Sequence, residues 1–168
     1  MDRAYMEDRY RRTRLVCCAL VMRKKGNKQE FLLVQEGKGP DTDKWNIPTG
    51  GHEPGETLPA AVIREVREET GGIFVPTHIL CFSSVERRDL QFENIIPHIV
   101  RVVFLGDFEK VGWRFKFGPD IKAVKWFSRD AILSGKVILR SPDIPRLIVR
   151  HATGMKYPLE IIEHIVSR

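Results

Sequence analysis

Residues 50–72 read GGHEPGETLPAAVIREVREETGG, and Glu65, Glu68 and Glu69 within this stretch are spaced i, i+3 and i+4. On a helix over 57–70 that spacing puts all three carboxylates on one face. Like charges so placed destabilise a bare helix by a few tenths of a kcal/mol per pair. A hard divalent cation held by oxygen ligands turns that cost into a binding site. The helix limits are legible too. Thr57 is a suitable N-cap, Pro59 fits the first turn, where a missing N–H goes unnoticed, and Gly71-Gly72 ends the helix. The preceding 49–55 holds three glycines and a proline, so irregular structure is expected there.

Upstream, the apolar run at 15–22 and a second at 31–34 flank Gly26-Asn27, which predicts a hairpin. Their continuous apolar character implies strands covered on both faces, as in a layered α/β protein. Residues 45–47 make a brief strand stopped by Pro48. Downstream, 73–85, 95–108 and 122–127 read as strands, with 86–94 a charged loop. Ser128 caps a helix from Arg129 to about Ser134, and Ser141 with Pro142 opens another to about Ala152. Residues 158–160 begin a last short amphipathic helix. There is no internal repeat, low-complexity segment or linker, so 1–168 is read as one domain, with 1–12 as an arm or short helix.

The chain has 168 residues, 42% hydrophobic and 30% charged, enough to bury a core without disulfides or structural metal. Its net charge of +6 favours polyanionic partners, nucleic acid and phosphate-bearing small molecules alike. Arg9, Arg11, Arg12 and Arg14 crowd the N-terminal end, the pattern of a solvated arm or first-strand flank rather than a nucleic-acid patch. The three cysteines, Cys17, Cys18 and Cys81, lack metal-ligand spacing, and buried reduced thiols are expected. No basic-then-apolar leader opens the chain, and the longest apolar run is too short to span a bilayer. A cytoplasmic protein without a membrane partner is the expectation.

The central segment resembles the Nudix box, the signature of the Nudix hydrolases: Gly50, Glu56, Arg64-Glu65-Val66-Arg67-Glu68-Glu69 and Gly71 all fall in place. Background residue frequencies give such a match less than about once in 10⁸ start positions. Gly72 stands where the pattern has an aliphatic residue, with Ile73 next in line, and Thr49 stands where many members have glycine. The resemblance implies the Nudix fold, a mixed β-sheet sandwiched between helices (α/β/α) with a catalytic loop–helix–loop. It also implies hydrolysis of a phosphoric anhydride with Mg²⁺ or Mn²⁺. Glu65, Glu68 and Glu69 would then be metal ligands, joined by the backbone carbonyl of Gly50. Arg64 would hold a box glutamate as an ion pair, while Glu56 and Gly71 brace the loop and the helix end.

Family members often carry a further acidic group downstream. Asp120, six residues before Trp126, is the candidate, the alternative being a turn aspartate after Gly118-Pro119. Glu86 and Glu93 are weaker candidates for general base, with solubility as their alternative role. His52, His78, His98, His151 and His164 show no ligand spacing.

Substrate choice is less legible. Trp113-Arg114-Phe115-Lys116-Phe117 alternates aromatic and cationic residues, and Trp113 and Phe115 are expected to border the pocket and stack on a ring. Trp126-Phe127-Ser128, Leu139-Arg140-Ser141-Pro142 and 154–160 resemble the tail of bacterial Nudix phosphatases of the NudJ type. That likeness implies nucleoside di- and triphosphates or thiamine-type pyrophosphates as substrates. A hydrolase sanitising oxidised nucleoside di- or triphosphates would use the same box. A non-catalytic nucleotide- or RNA-binding module is the reading of another class, and the intact glutamates stand against it because binding alone does not need them. The expected partner is thus a small phosphoric anhydride rather than nucleic acid, and oligomeric state is not legible.

Overall fold

In the computed structural model, which describes residues 13–93, 95–110 and 117–166, the N-terminal apolar run is divided between two sheets. Strand β1 is Arg14–Ala19, β2 Met22–Lys25, β3 Lys28–Glu36, β4 Trp45–Asn46 and β5 Thr49–Gly51. Helix α1 (Leu58–Thr70) follows, then β6 (Gly72–Glu86), β7 (His98–Lys110), β8 (Ile121–Ser128), α2 (Arg129–Leu133), α3 (Ile144–Ala152) and β9 (Tyr157–Pro158). The hairpin at Gly26-Asn27 forms, but β2 rather than the apolar run before it is its first strand. That run is β1, which lies parallel to β7 from Arg14↔Ile99 to Ala19↔Phe104.

The first sheet runs β5-β1-β7-β6-β9 and is mixed, since only the β1–β7 pairing is parallel. In the second, antiparallel sheet β3 is central, with β8 along one edge and β2 and β4 in succession along the other. Alternate residues of β1 enter different cores. Cys17 and Ala19 pack with Ala61, Val62 and Val66 of α1, while Val16 and Cys18 pack with Ile132 of α2 and Ile144, Leu147 and Ile148 of α3. Both faces are covered, as the apolar runs led one to expect, and the α/β/α layering implied by the resemblance is present. Val62 and Val66 are fully buried. At about 1.5–3 kcal/mol per side chain, their burial outweighs the repulsion among the glutamates on the adjoining face of α1. Cys17, Cys18 and Cys81 are free and buried, and burial pushes the Cys17 thiol up to about 12. Among the described residues no helix is long and apolar enough to cross a membrane.

Three local expectations need correction. Residues 49–51 form an edge strand, Cys18↔Thr49 to Val16↔Gly51, in which Gly50 leaves room for the Glu65 carboxylate of α1. The helix expected with Ser141 as its cap starts two residues later. Asp143 is its N-cap position and Pro145 sits in its first turn, because Ser141 and the Asp143 carboxylate bond to each other instead of capping. The final segment is a single 3-10 turn, Leu159–Ile161, following the short pairing of β9 with β6. The Gly72 departure has a physical reason as well. A Cβ there would lie 2.1 Å from the Phe108 ring, so Phe108 fills the space, and Ile73 instead stands half exposed.

Candidate active site

Helix α1 is fixed at both ends. The Thr57 hydroxyl accepts from the Ala60 N–H at 3.2 Å, and Gly71, with φ 69°, turns the chain out of the helix while its N–H reaches the Arg67 carbonyl. Between these caps Arg64 is a hub. It grips the Glu56 carboxylate with two bonds of 2.7 and 3.1 Å, donates to the Gly51 carbonyl at 2.9 Å, and bonds Glu65 at 2.7 Å. The Arg64 guanidinium, helped by the Glu53 N–H, holds the Glu56 carboxyl below its usual range. Loop 51–56 is therefore tied to α1 through one side chain.

The three glutamates differ in setting. Glu69 accepts from the Thr49 N–H at 2.9 Å, and burial pushes its carboxyl well up, with Glu36 and Glu65 adding to the effect. Glu65 is also raised by burial, against the pull of Arg64. Glu68 is 57% exposed, with Arg64 at 3.5 Å. No three acidic, histidine or cysteine side chains among the described residues close on one point as a cation cage. Glu65 is turned to Arg64 and Glu69 to Thr49. The donor set nevertheless suits a hard divalent cation. It offers three carboxylates from one helix face, and at Gly50 a main chain lies so close that a Cβ would sit 1.8 Å from the Glu65 carboxyl carbon.

That clash gives a direct test. In Gly50→Ala the atoms nearest the new Cβ are the flexible end of Glu65, so the fold is expected to survive with little change in Tm. Turnover drops by at least about tenfold, because a carboxylate is moved out of place. Unchanged turnover would show that the position of Glu65 is immaterial.

The glutamates line a cavity of about 560 Å³. Asp120 lines it too, brought there because the Gly118 N–H bonds the Glu68 carbonyl (3.1 Å) and the Gly37 N–H bonds the Asp120 carbonyl (2.6 Å). Its carboxylate is 67% exposed and pairs with Lys38 at 2.7 Å. Glu86 does not join this cavity; it is exposed and pairs with Arg88. Glu93 sits in the loop after β6 with φ 51° and is likewise not on the cavity wall. His52 bonds the Glu56 carbonyl and His98 lies between Thr13 and Ser84, both as local braces. Trp113 and Phe115 lie outside the described residues.

Arginines line the same cavity, and most of them were not read from the sequence. Arg14, grouped with the N-terminal basic run, belongs to β1 and lines the cavity. Arg87 and Arg101, 6% and 7% exposed, line it with Arg140. Asp41, 4% exposed, accepts from Arg87 at 3.0 and 3.1 Å, from Lys44 at 3.0 Å and from Arg140 at 3.0 Å. Burial works to raise the Asp41 carboxyl, but these cations hold it below its ordinary value. Arg140 also reaches Glu36 at 2.8 Å, and Arg101 reaches Asp143. Arg101 could have been suspected, since it interrupts the apolar stretch IVRVVFL. Arg87 lies among charged neighbours and Arg140 beside a Ser-Pro helix signal, so neither stands out.

A family model described as the NUDIX domain matches residues 11–147. The chain is 34% identical over 154 residues to a nudix hydrolase of Caenorhabditis elegans, an overlap covering 90% of this chain and 39% of that protein. It is 32% identical over 139 residues to the phosphatase NudJ of Escherichia coli, covering 79% and 82% respectively. A solved NUDIX hydrolase from Nitrosomonas europaea superposes with a TM-score of 0.80 at 27% identity, covering 92% of this chain and 98% of that one. The match therefore spans well under half of the C. elegans relative and most of the other two.

Proposed function

The chain belongs to the Nudix hydrolases, a family acting on phosphoric anhydrides, and from that premise we propose that it hydrolyses a diphosphate linkage in a small nucleotide or related pyrophosphate. The observation that carries this reading is a single cavity lined both by Glu65, Glu68, Glu69 and Asp120 and by Arg14, Arg87, Arg101 and Arg140. An acidic lining alone suits a cation and a basic lining alone suits an anion. Together they suit an anionic diphosphate bound with its counter-cation.

Glu65, Glu68 and Glu69, with the Gly50 carbonyl, would hold Mg²⁺ or Mn²⁺, which neutralises diphosphate charge and lowers the pKa of an attacking water. The chain's own residues supply the rest. Arg64 fixes Glu65 and the loop through Glu56, and the Thr49 N–H fixes Glu69. The arginines offset phosphate charge, and Asp120 adds a carboxylate at the rim in reach of solvent protons. In this reading 1–168 works as one unit in the cytoplasm.

The test is a substrate panel with Mg²⁺ or Mn²⁺, following phosphate and pyrophosphate separately. It includes nucleoside di- and triphosphates, their oxidised guanine forms, and thiamine-type diphosphates. Metal-dependent release from at least one class is expected, and abolition by chelator. Nucleotide binding with no release from any of them would favour a non-catalytic module instead.

A further inference from the structure

Strand β5 is three residues long, Thr49–Gly51, and lies at the edge of the first sheet against β1. Two of its residues are glycines, and Gly-rich strands hold their register weakly. Yet β5 carries the main chain that two of the box glutamates meet. The Thr49 N–H bonds Glu69 Oε2 at 2.9 Å, and Gly50 leaves room for the Glu65 carboxyl. A small shift of β5 therefore disturbs both carboxylates at once.

Thr49 is the one residue of β5 with a side chain, and its hydroxyl is spent on β1. Thr49 and Cys18 are direct cross-strand partners. Thr49 gives its N–H to α1 rather than to β1, as in a non-hydrogen-bonded pair, where facing side chains come closest. Oγ1 donates to the Cys17 carbonyl at 3.3 Å and lies 2.8 Å from the Cys18 Sγ. With its proton committed to that carbonyl, the hydroxyl oxygen accepts from the Cys18 S–H. Cys18 is fully buried and packs with Leu33, Leu80 and Val103, so its thiol is a fixed point. The Pro48–Thr49 peptide is also held at its carbonyl, by the Ala19 N–H at 2.9 Å. That single bond leaves the peptide free to pivot, and the hydroxyl contacts remove this freedom.

We propose that the Thr49 hydroxyl is a positioning group for the cation site. Hung between Cys18 and Cys17, it holds the Pro48–Thr49 peptide so that the N–H takes Glu69 Oε2 and leaves the other oxygen for the cation. Thr49 stands where many members have glycine, so this restraint belongs to the chain's own side chain and not to the box. The inference deepens the hydrolase reading and rests on it for the cation. A hydroxyl that served stability alone would affect melting and leave cation affinity untouched.

The test titrates the full chain with Mn²⁺, following the paramagnetic resonance signal of the free ion, so that binding is read without turnover. Thr49 is only partly buried and Thr49→Ala leaves the backbone bonds of β5 in place, so the variant folds. It is expected to bind Mn²⁺ at least about fivefold more weakly, approaching the effect of losing a partner behind a metal ligand. The half-saturating Mg²⁺ concentration for turnover should rise in parallel, while KM for substrate at saturating Mg²⁺ stays within about twofold. Thr49→Ser keeps the hydroxyl and should stay within about twofold of the unaltered protein in Mn²⁺ affinity. All are compared well below their melting temperatures. Unchanged affinity in Thr49→Ala would overturn the positioning role and leave the hydrolase reading intact. An equal loss in Thr49→Ser would also overturn it, assigning the effect to packing of the methyl group. The expected Mn²⁺ pattern without turnover of any substrate would retain the positioning role while the hydrolase reading fails. Neither Mn²⁺ binding nor metal-dependent turnover in the unaltered protein would overturn both.

Discussion

Glu69→Gln and Glu68→Gln are each expected to lower kcat by at least about 10²-fold, the scale of losing a key electrostatic group, without unfolding the protein. Stability and activity should part company, and for different reasons at the two positions. Glu69 is a buried carboxylate raised by burial and by its acidic neighbours. Its neutral amide replacement still accepts from the Thr49 N–H, so Tm should stay level or rise. Glu68 is mostly exposed and its ion pair with Arg64 is long, so its loss should move Tm little. Neither residue is needed to hold α1, whose buried side is Ala61, Val62, Val66 and Thr70. Loss of turnover with an intact melting transition is the signature of a group placed for chemistry. Near-wild-type kcat in both variants would remove the basis for assigning them to a cation. Asp120→Asn, at an exposed position paired with Lys38, should cost less than either.

The same residues show what a sequence carries and what it withholds. The glutamate spacing on α1, its caps at Thr57 and Gly71, and the pairing of Arg64 with Glu65 depend on neighbours a few positions away, so they are readable from local order. Asp120 was reachable because a strand had to follow it. The cavity arginines are different. Arg87 and Asp41 are 46 residues apart and Arg140 and Asp41 99 apart, and nothing local says that they meet. Edge strand β5 was hidden for another reason. Its Gly50 makes room for Glu65 across the fold, and in one dimension its two glycines look like a loop. The register of β1 against β7, which puts Val16 beside Arg101, is likewise invisible until the parallel pairing is known.

Asp41→Ala is expected to destabilise the fold by roughly 3–5 kcal/mol, the cost of removing one partner from a buried ion pair. At about 2–4 °C per kcal/mol for a chain of this size, Tm should fall by on the order of 10 °C. The size follows from what is stranded. Among the described residues, Arg87, almost fully buried, keeps only Asp89 and Arg140 keeps only Glu36 as carboxylate partners. Asp41→Asn retains the shape and some acceptor capacity, so its loss should be smaller. Lys38–Asp120, an exposed pair in the same cavity, is the control, since breaking it should cost no more than about 1 kcal/mol. The pH dependence has a definite sign. The folded state holds the Asp41 carboxyl below its ordinary value, so its contribution is present above that ordinary value and is lost as pH falls through the lowered one. Acid should therefore narrow the gap between the unaltered protein and Asp41→Ala, and at neutral pH the gap should be full. A urea midpoint that drops at an unchanged slope assigns the effect to stability alone. A Tm shift of less than about 2 °C would mean that Arg87 and Arg140 find other acceptors, and that they do not depend on Asp41 for their position.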